Sequence, residues 1–167
     1  MKSRIPLIAL GLLALAATTL ARADVKVTFV NPDKFIDIKD NTGFRDKEVL
    51  KDIESHLVEQ ANKYLPGRDV RISVTDVDLA GDVEPMWHRF QSVRVMRTVT
   101  LPSIWLNYEV REGDKVVRKG EARLRDMNYQ DGFNSYFSGE TLRYEKRMID
   151  RWFKDEFGTQ VAAAPAR

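Results

Sequence analysis

The stretch IWLNYEVREGDKVVRKGEARL, residues 104–124, predicts two antiparallel strands joined by a tight turn. In its first half, every second residue has an apolar side chain, namely Ile104, Leu106, Tyr108 and Val110. That alternation is the period of a strand with one buried face. Gly113-Asp114 stands where a two-residue hairpin turn belongs. In the returning half, one face consists of Val116, Gly120, Ala122 and Leu124. The sequence therefore predicts a β-hairpin here.

The other predicted elements lie on both sides of this hairpin. Alternating apolar residues predict a first strand over Val25–Phe29 and a second strand that begins at Val70. Apolar residues at helical spacing predict one helix between Asp46 and Leu65 and another from Thr141 to Phe157, capped by the glycine that follows. The segment from Val93 to Leu101 has the period of a further strand.

This order of elements predicts the fold class and the domain organisation. A strand, a helix, several strands and a helix favour an α+β domain, with a largely antiparallel sheet of four to five strands and both helices packed on one face. In the second strand the apolar face changes sides near Thr75, which predicts a β-bulge there. Residues 24–158 suit a single domain. Residues 159–167, which contain Ala and Pro, are expected to form a disordered tail.

The first 23 residues have the pattern of a cleavable signal peptide. Lys2 and Arg4 supply a positive start, an apolar stretch follows, and Ala21-Arg22-Ala23 has the small residues that signal peptidase requires. A membrane anchor is the alternative, but the stretch is short for a span of roughly 20 residues and no basic cluster follows it. We therefore expect cleavage after Ala23 and a domain that is periplasmic or secreted.

Cysteine content and charge exclude several classes of protein. The chain has no cysteine, which excludes disulfides, thiolate catalysis and lipid attachment at a cleavage-site cysteine.

Of the 27 basic residues, Lys2, Arg4 and Arg22 lie in the predicted signal, so 24 remain against 25 acidic residues. A nearly neutral domain favours no nucleic-acid partner. Glycine-rich phosphate motifs and serine-nucleophile motifs are absent from the sequence, and we expect no cofactor.

Four carboxylates lie close together in the sequence and a histidine follows them, at Asp76, Asp78, Asp82, Glu84 and His88. Carboxylate and imidazole groups are ligands for calcium, zinc and manganese, so a metal site is one interpretation. The EF-hand pattern fails because Ala80 and Trp87 stand at its fifth and twelfth positions. We favour the other interpretation, a polar strand end that continues into a solvated turn.

The segment from Asp126 to Gly139 is rich in aromatic and amide side chains. Aromatic faces beside directional hydrogen-bonding groups are typical of surfaces that bind a peptide or a glycan. The alternative is that Tyr129, Phe133 and Phe137 only pin a long connection to the core. The candidate binding residues are Asn128, Tyr129, Asn134, Tyr136, Arg143 and Glu145, of which the last two open the second helix.

Several blocks of the chain resemble a bacterial family, the domain of unknown function 3016 (DUF3016). The blocks are Val27-Thr-Phe-Val-Asn-Pro32, Asp76-Val-Asp-Leu-Ala-Gly81, Asp126-Met-Asn-Tyr129, and the run from Gly139 to Met148 with Trp152-Phe153 after it. The resemblance implies a signal-bearing protein with one domain over nearly the whole mature chain. It implies no activity and supplies no catalytic residue.

Two functions remain open from the sequence. The first is a non-enzymatic binding or accessory module for an envelope protein, peptide or glycan, without a membrane anchor and either monomeric or homodimeric. The second is a metal-dependent hydrolase that uses the carboxylates from Asp76 to Glu84 together with His88. Because the sequence contains no catalytic motif, we favour the first function and assign no catalytic residue.

Overall fold

A computed structural model describes residues 23–35, 37–38, 46–86 and 91–162. The predicted signal up to Arg22, His88 and residues 163–167 lie outside the described residues. The elements are β1 (Val25–Phe29), α1 (Lys47–Tyr64), β2 (Asp69–Asp78), β3 (Asp82–Met86), β4 (Gln91–Val95), β5 (Ser103–Glu112), β6 (Lys115–Arg125) and α2 (Arg143–Ala162). The main sheet has the order β1-β2-β5-β6, and β3 pairs with β4 apart from it. Neither α-helix in the described part of the chain combines the length and the hydropathy that a membrane span requires.

Strands β5 and β6 form the predicted hairpin. At its turn Gly113 has a φ of 57°, a left-handed conformation that glycine adopts without steric cost. Ile104 lies opposite Leu124, and both are buried. Tyr108 lies opposite Gly120, where an added Cβ would be 2.9 Å from the Tyr108 hydroxyl oxygen. The glycine therefore leaves the space that the tyrosine ring needs.

Strands β1 and β2 form the one parallel pair of the main sheet among the described residues. Val25 of β1 lies opposite Val70 of β2, because α1 carries the chain back along the sheet before β2 begins. Helix α1 begins after Asp46, whose carboxylate accepts hydrogen bonds from the backbone N–H groups of Glu48 and Val49 at 3.0 and 3.2 Å. The α+β prediction is confirmed, with a four-stranded sheet that is mixed rather than wholly antiparallel.

Strand β2 contains the predicted bulge. Its register with β5 shifts between Val74 and Asp76. Beyond the shift, Val77 returns to the buried side of the sheet, whereas Asp76 and Asp78 are exposed. An extra residue in one strand reverses the facing of every residue after it, so the bulge moves both carboxylates into solvent.

The prediction of one strand from Val93 to Leu101 is wrong. Strand β4 ends at Val95, and the chain then turns, with the Thr100 N–H donating to the Arg97 carbonyl oxygen at 3.0 Å. The Thr100 carbonyl oxygen in turn accepts from the Gly81 N–H at 2.9 Å. The turn that follows β4 is thus bonded to the residue that precedes β3. The alternation of apolar residues does not indicate this long-range contact.

Helix α2 packs beside α1 over the sheet. Its most deeply buried residues are Ile149, Phe153 and Phe157, which join Leu57 and Ala61 of α1 in one core. The helix continues past Gly158 to Ala162. The predicted helix end at Phe157, with a glycine cap, is therefore wrong, and most of the predicted tail, residues 163–167, lies outside the described residues. Apolar periodicity marks the part of a helix that faces a core, and the prediction rests on that periodicity only as far as Phe157.

Candidate functional site: the loop between β6 and α2

One buried arginine anchors residues 126–142, which we call the 126–142 loop. Arg147, on the second turn of α2, is 5% exposed. Its guanidinium donates to the carbonyl oxygens of Tyr129 at 2.7 Å, Asp131 at 3.2 Å and Phe133 at 3.3 Å. A longer bond, of 3.4 Å, goes to the Asn128 carbonyl oxygen. Because these carbonyls come from successive parts of the loop, a single side chain fixes the path of the backbone.

The charge of Arg147 is balanced at the beginning of the same loop. Its Nη2 lies 2.9 Å from Oδ2 of Asp126, a carboxylate that is only 4% exposed. Arg151, one helical turn further on, donates to the same oxygen at 3.1 Å. The other oxygen, Oδ1, accepts from the Asn128 N–H at 3.2 Å. Buried ion pairs are stable only when most of their remaining hydrogen-bonding capacity is used. Here both carboxylate oxygens of Asp126 and both terminal nitrogens of Arg147 are bonded, and only Nε of Arg147 is buried without a partner.

Tyr129 is an internal anchor of the loop. Its side chain is 1% exposed, and its hydroxyl donates to the Arg97 carbonyl oxygen at 2.8 Å. Its ring packs edge-on against that of Tyr144, with the centroids 4.8 Å apart. The structure therefore places this candidate binding residue in the interior, where it pins the loop.

Asn134 and Tyr136 hold the second half of the loop. The Asn134 side chain accepts from the Tyr136 N–H at 3.0 Å and donates to the Arg143 carbonyl oxygen at 3.2 Å. The Tyr136 hydroxyl donates to Oδ2 of Asp150 at 2.7 Å. Both candidate binding residues thus use their polar groups within the protein and connect the loop to the start of α2.

A polar network of three side chains joins the loop to both helices. Nε2 of His56 on α1 lies 2.8 Å from Oδ1 of Asp150 on α2, and Tyr136 bonds to the other oxygen. Burial opposes ionisation of Asp150, but the hydrogen bonds from His56 and Tyr136 lower its pKa below the ordinary value. Burial and the bond to Asp150 raise the pKa of Tyr136. The three groups satisfy one another and cross-link the two helices with the loop.

Three large apolar side chains of the loop remain in solvent. Phe133 is 88% exposed, Phe137 84% and Met127 68%. The interpretation that Phe133 and Phe137 pin the loop to the core is therefore wrong, whereas it holds for Tyr129. Functional residues are often carried by loops that a rigid scaffold holds in place. The anchored positions alternate along the loop with these exposed apolar ones.

A cavity of about 550 Å³ lies where α2 begins. Leu142, with a φ of 57°, turns the chain so that the helix starts at Arg143 rather than at the predicted Thr141. Arg143 and Glu145 both line the cavity. Glu145 is 3% exposed, and its Oε1 accepts from the Ala80 N–H at 2.7 Å. Burial raises the pKa of the Glu145 carboxyl.

The six candidate binding residues therefore separate into three groups. Tyr129, Asn134 and Tyr136 hold the loop in position. Arg143 and Glu145 share the cavity at the start of α2. The Asn128 side chain is exposed beside Met127 in the sequence. Sequence reasoning missed Arg147, His56 and Asp150, and the only signal for Arg147 was its place on the buried side of a helix.

The acidic segment does not converge on a metal site within the part of the chain that the structure describes. Asp76, Asp78 and Asp82 are exposed, and Glu84 pairs with Arg97 at 2.6 Å. Partial burial, followed by the neighbouring carboxylates, raises the pKa of Asp78. Because His88 lies outside the described residues, the metal-dependent hydrolase stays a prediction.

Comparison with known proteins gives one match. The model of a family described as "Protein of unknown function (DUF3016)" matches residues 23–155, which is most of the chain. The family resemblance inferred from the sequence blocks is confirmed. Searches of curated proteins and of solved structures gave no match.

Proposed function

We propose that this chain, which belongs to the DUF3016 family, is a non-enzymatic binding module that docks onto a protein or peptide partner through the 126–142 loop. The observation that supports this function is the exposure of Phe133 and Phe137, at 88% and 84%, on a backbone that Arg147 holds from within. Large apolar side chains in solvent lower the stability of a free domain or leave it unchanged, and they gain free energy when a partner covers them.

The magnitude of that gain suits a docking surface. Covering one phenylalanine side chain contributes about 1.5–3 kcal/mol. Ordering a flexible loop on binding would offset part of this gain. Here the contacts of Arg147, Tyr129 and Asn134 already order the loop in the free protein. The two phenylalanines are therefore presented at a small additional entropy cost.

We further propose that the module works in the periplasm after cleavage behind Ala23. Support comes from the start of the fold, because β1 begins at Val25, two residues after the proposed cleavage point. The backbone nitrogen of Asp24 lies 2.9 Å from Oδ1 of Asp69, and the Asp24 carbonyl oxygen accepts from the Val70 N–H at 2.9 Å. The proposed first residue of the mature chain is thus held to strand β2 through both its backbone nitrogen and its carbonyl oxygen.

The test compares two double variants in a crosslinking pull-down from intact envelopes. Phe133→Ser with Phe137→Ser is expected to abolish recovery of the partner, without a change in the melting temperature of the purified domain, because both side chains are exposed. The matched control is Val116→Ser with Val117→Ser, which removes two apolar side chains that are each 37% exposed at the hairpin turn. At about 3.3 Å per residue, the control site lies roughly 30 Å from the loop along β6.

Unchanged recovery with the phenylalanine double variant would exclude this surface. An equal loss of partner recovery with the valine control would show that capture results from nonspecific hydrophobic association rather than from a defined site. Recovery that is lost only with the phenylalanine variant, at unchanged stability, would support the proposed function.

A further inference from the structure

The cavity at the start of α2 has a mostly apolar wall with a few charged groups. Its apolar lining comes from five separate parts of the chain and includes Ile38, Val49, Leu79, Val83, Met96 and Leu142. At about 550 Å³ it falls within the range of roughly 300–1,000 Å³ in which small-molecule sites lie. Charged groups in such a site fix the orientation of a ligand. A charged group that has a partner within the protein needs none from the ligand, whereas an unpaired group requires a ligand group of opposite charge.

Most of the charged groups that line the cavity are already paired. Arg94 holds Asp37 through both carboxylate oxygens, each at 3.0 Å, and also donates to the Gly81 carbonyl oxygen at 2.7 Å. Glu140 accepts from Lys146 at 2.8 Å. The carboxylate of Asp46 is used by the first N–H groups of α1. Each of these charged groups therefore already has a partner within the protein.

Arg143 is the exception among the charged residues of the cavity. Its Nε is buried without a hydrogen-bond partner, and it forms no ion pair with any residue that the structure describes. Its guanidinium stacks on the ring of Tyr144, with Cζ 5.1 Å from the ring centroid. The neighbouring Glu145 carboxyl accepts from the Ala80 N–H, and burial raises its pKa. Within the described part of the chain, Arg143 is therefore the one charged residue of the cavity lining whose side chain has neither a hydrogen-bond nor an ion-pair partner.

From this arrangement we propose that the cavity binds a small amphipathic carboxylate, with its anionic group on the Arg143 guanidinium and its apolar part against Leu79, Val83 and Leu142. A guanidinium matches a carboxylate through two parallel N–H donors, which makes the pairing specific as well as strong. This site is separate from the exposed phenylalanines of the 126–142 loop and does not depend on the proposed docking function.

The experiment titrates the purified domain with decanoate at neutral pH and, as an uncharged match, with decan-1-ol, by calorimetry. Saturable binding of decanoate is expected, and Arg143→Gln should weaken it about tenfold to a hundredfold, the range for loss of a hydrogen bond to a charged group. Lys154→Gln removes the same charge from an exposed position on α2 and should leave the affinity unchanged. Melting temperatures of both variants show whether each is folded.

A second pair of variants tests the apolar half of the site. Val83 lines the cavity, whereas Val93 lies opposite Glu84 in the same strand pair and does not line it. Val83→Asp should weaken decanoate binding, and Val93→Asp should not. The phenylalanine double variant of the 126–142 loop should bind decanoate normally, so failure of the docking function and failure of this site are distinguishable.

Three results of the binding measurements would overturn the proposal. They are the absence of saturable binding to the wild-type domain, equal affinity for decanoate and decan-1-ol, and an Arg143→Gln variant that binds decanoate as tightly as the wild type. Chemical-shift changes on titration are expected in the residues that line the cavity. Changes confined to the region of Phe133 and Phe137 would equally overturn it.

Discussion

Replacing Arg147 with methionine should destabilise the domain and release the 126–142 loop. Methionine keeps much of the apolar stem but removes the guanidinium, which leaves the buried Asp126 carboxylate with Arg151 and the Asn128 N–H as its described partners. Removing one partner of a buried ion pair costs about 3–5 kcal/mol. Because the 3.1 Å contact of Arg151 persists, we expect the lower end, about 3 kcal/mol. At roughly 2–4 °C per kcal/mol for a domain of this size, the melting temperature should fall by about 10 °C.

The matched control for this prediction is Arg151→Met. Arg151 contacts the same carboxylate oxygen, but its side chain is 52% exposed. Exposed ion pairs contribute about 0–1 kcal/mol, so the control should change stability little. Urea unfolding of the two variants and the wild type measures the difference. If Arg147→Met costs no more than Arg151→Met, our reasoning about burial is refuted.

The same variant should change the dynamics of the loop before the domain unfolds. Amide exchange in residues 128–133 should accelerate in Arg147→Met, because the carbonyls that the guanidinium holds lose their common anchor. Adding Asp126→Asn removes the uncompensated charge and should recover part of the stability. It should not restore the slow exchange. If Asp126→Asn restored both the stability and the slow amide exchange, the charge rather than the carbonyl contacts would be what orders the loop.

Further predictions concern glycine geometry and two carboxyls with opposite pKa shifts. Gly113→Ala should cost about 1–2 kcal/mol for its positive φ, whereas Gly81→Ala should cost more in urea unfolding, because its Cβ would also lie 2.6 Å from the Val95 carbonyl oxygen. The pKa of Glu145 is raised in the folded state, so wild-type stability falls as the pH rises above the ordinary value of 4.5. Glu145→Gln should therefore gain stability relative to wild type over that rise, and a constant difference would contradict the shift. The pKa of Asp150 is lowered, so its contribution is present above 3.8 and lost as the pH falls through the lowered pKa. The destabilisation caused by Asp150→Asn should accordingly shrink in acid, as thermal melts at several pH values would show.

Local patterns in the sequence predicted the elements that depend on near neighbours. The hairpin at Gly113, the first strand and helix α1 all follow from alternation, turn residues and helical spacing within a few positions. The bulge near Thr75 was also predictable, because one extra residue in a strand moves its apolar side chains to the opposite face. These features depend mainly on residues that lie close to one another in the sequence.

Features set by distant contacts were not predictable in the same way. Spacing of four residues favours ion pairs of Asp150 with Lys146 and Lys154, yet Asp150 bonds to His56, which lies 94 residues away. Nothing near His56 indicates that partner. For the candidate site, residue composition identified the loop but not the roles of its residues. Composition does not distinguish a buried aromatic residue such as Tyr129 from an exposed one such as Phe133. Burial, which distinguishes them, is a property of the folded chain.

The path of the chain between β2 and β5 has an evolutionary consequence. Asp78 at the end of β2 pairs directly with Ser103 at the start of β5, so residues 79–102 leave the main sheet and return to the same place. An excursion whose ends are held together can change in length and sequence at a small entropic cost. Val83 and Arg94 of the cavity wall belong to this excursion. Substitutions and insertions in this excursion can therefore alter the cavity wall while the strand pairing of the main sheet stays unaltered.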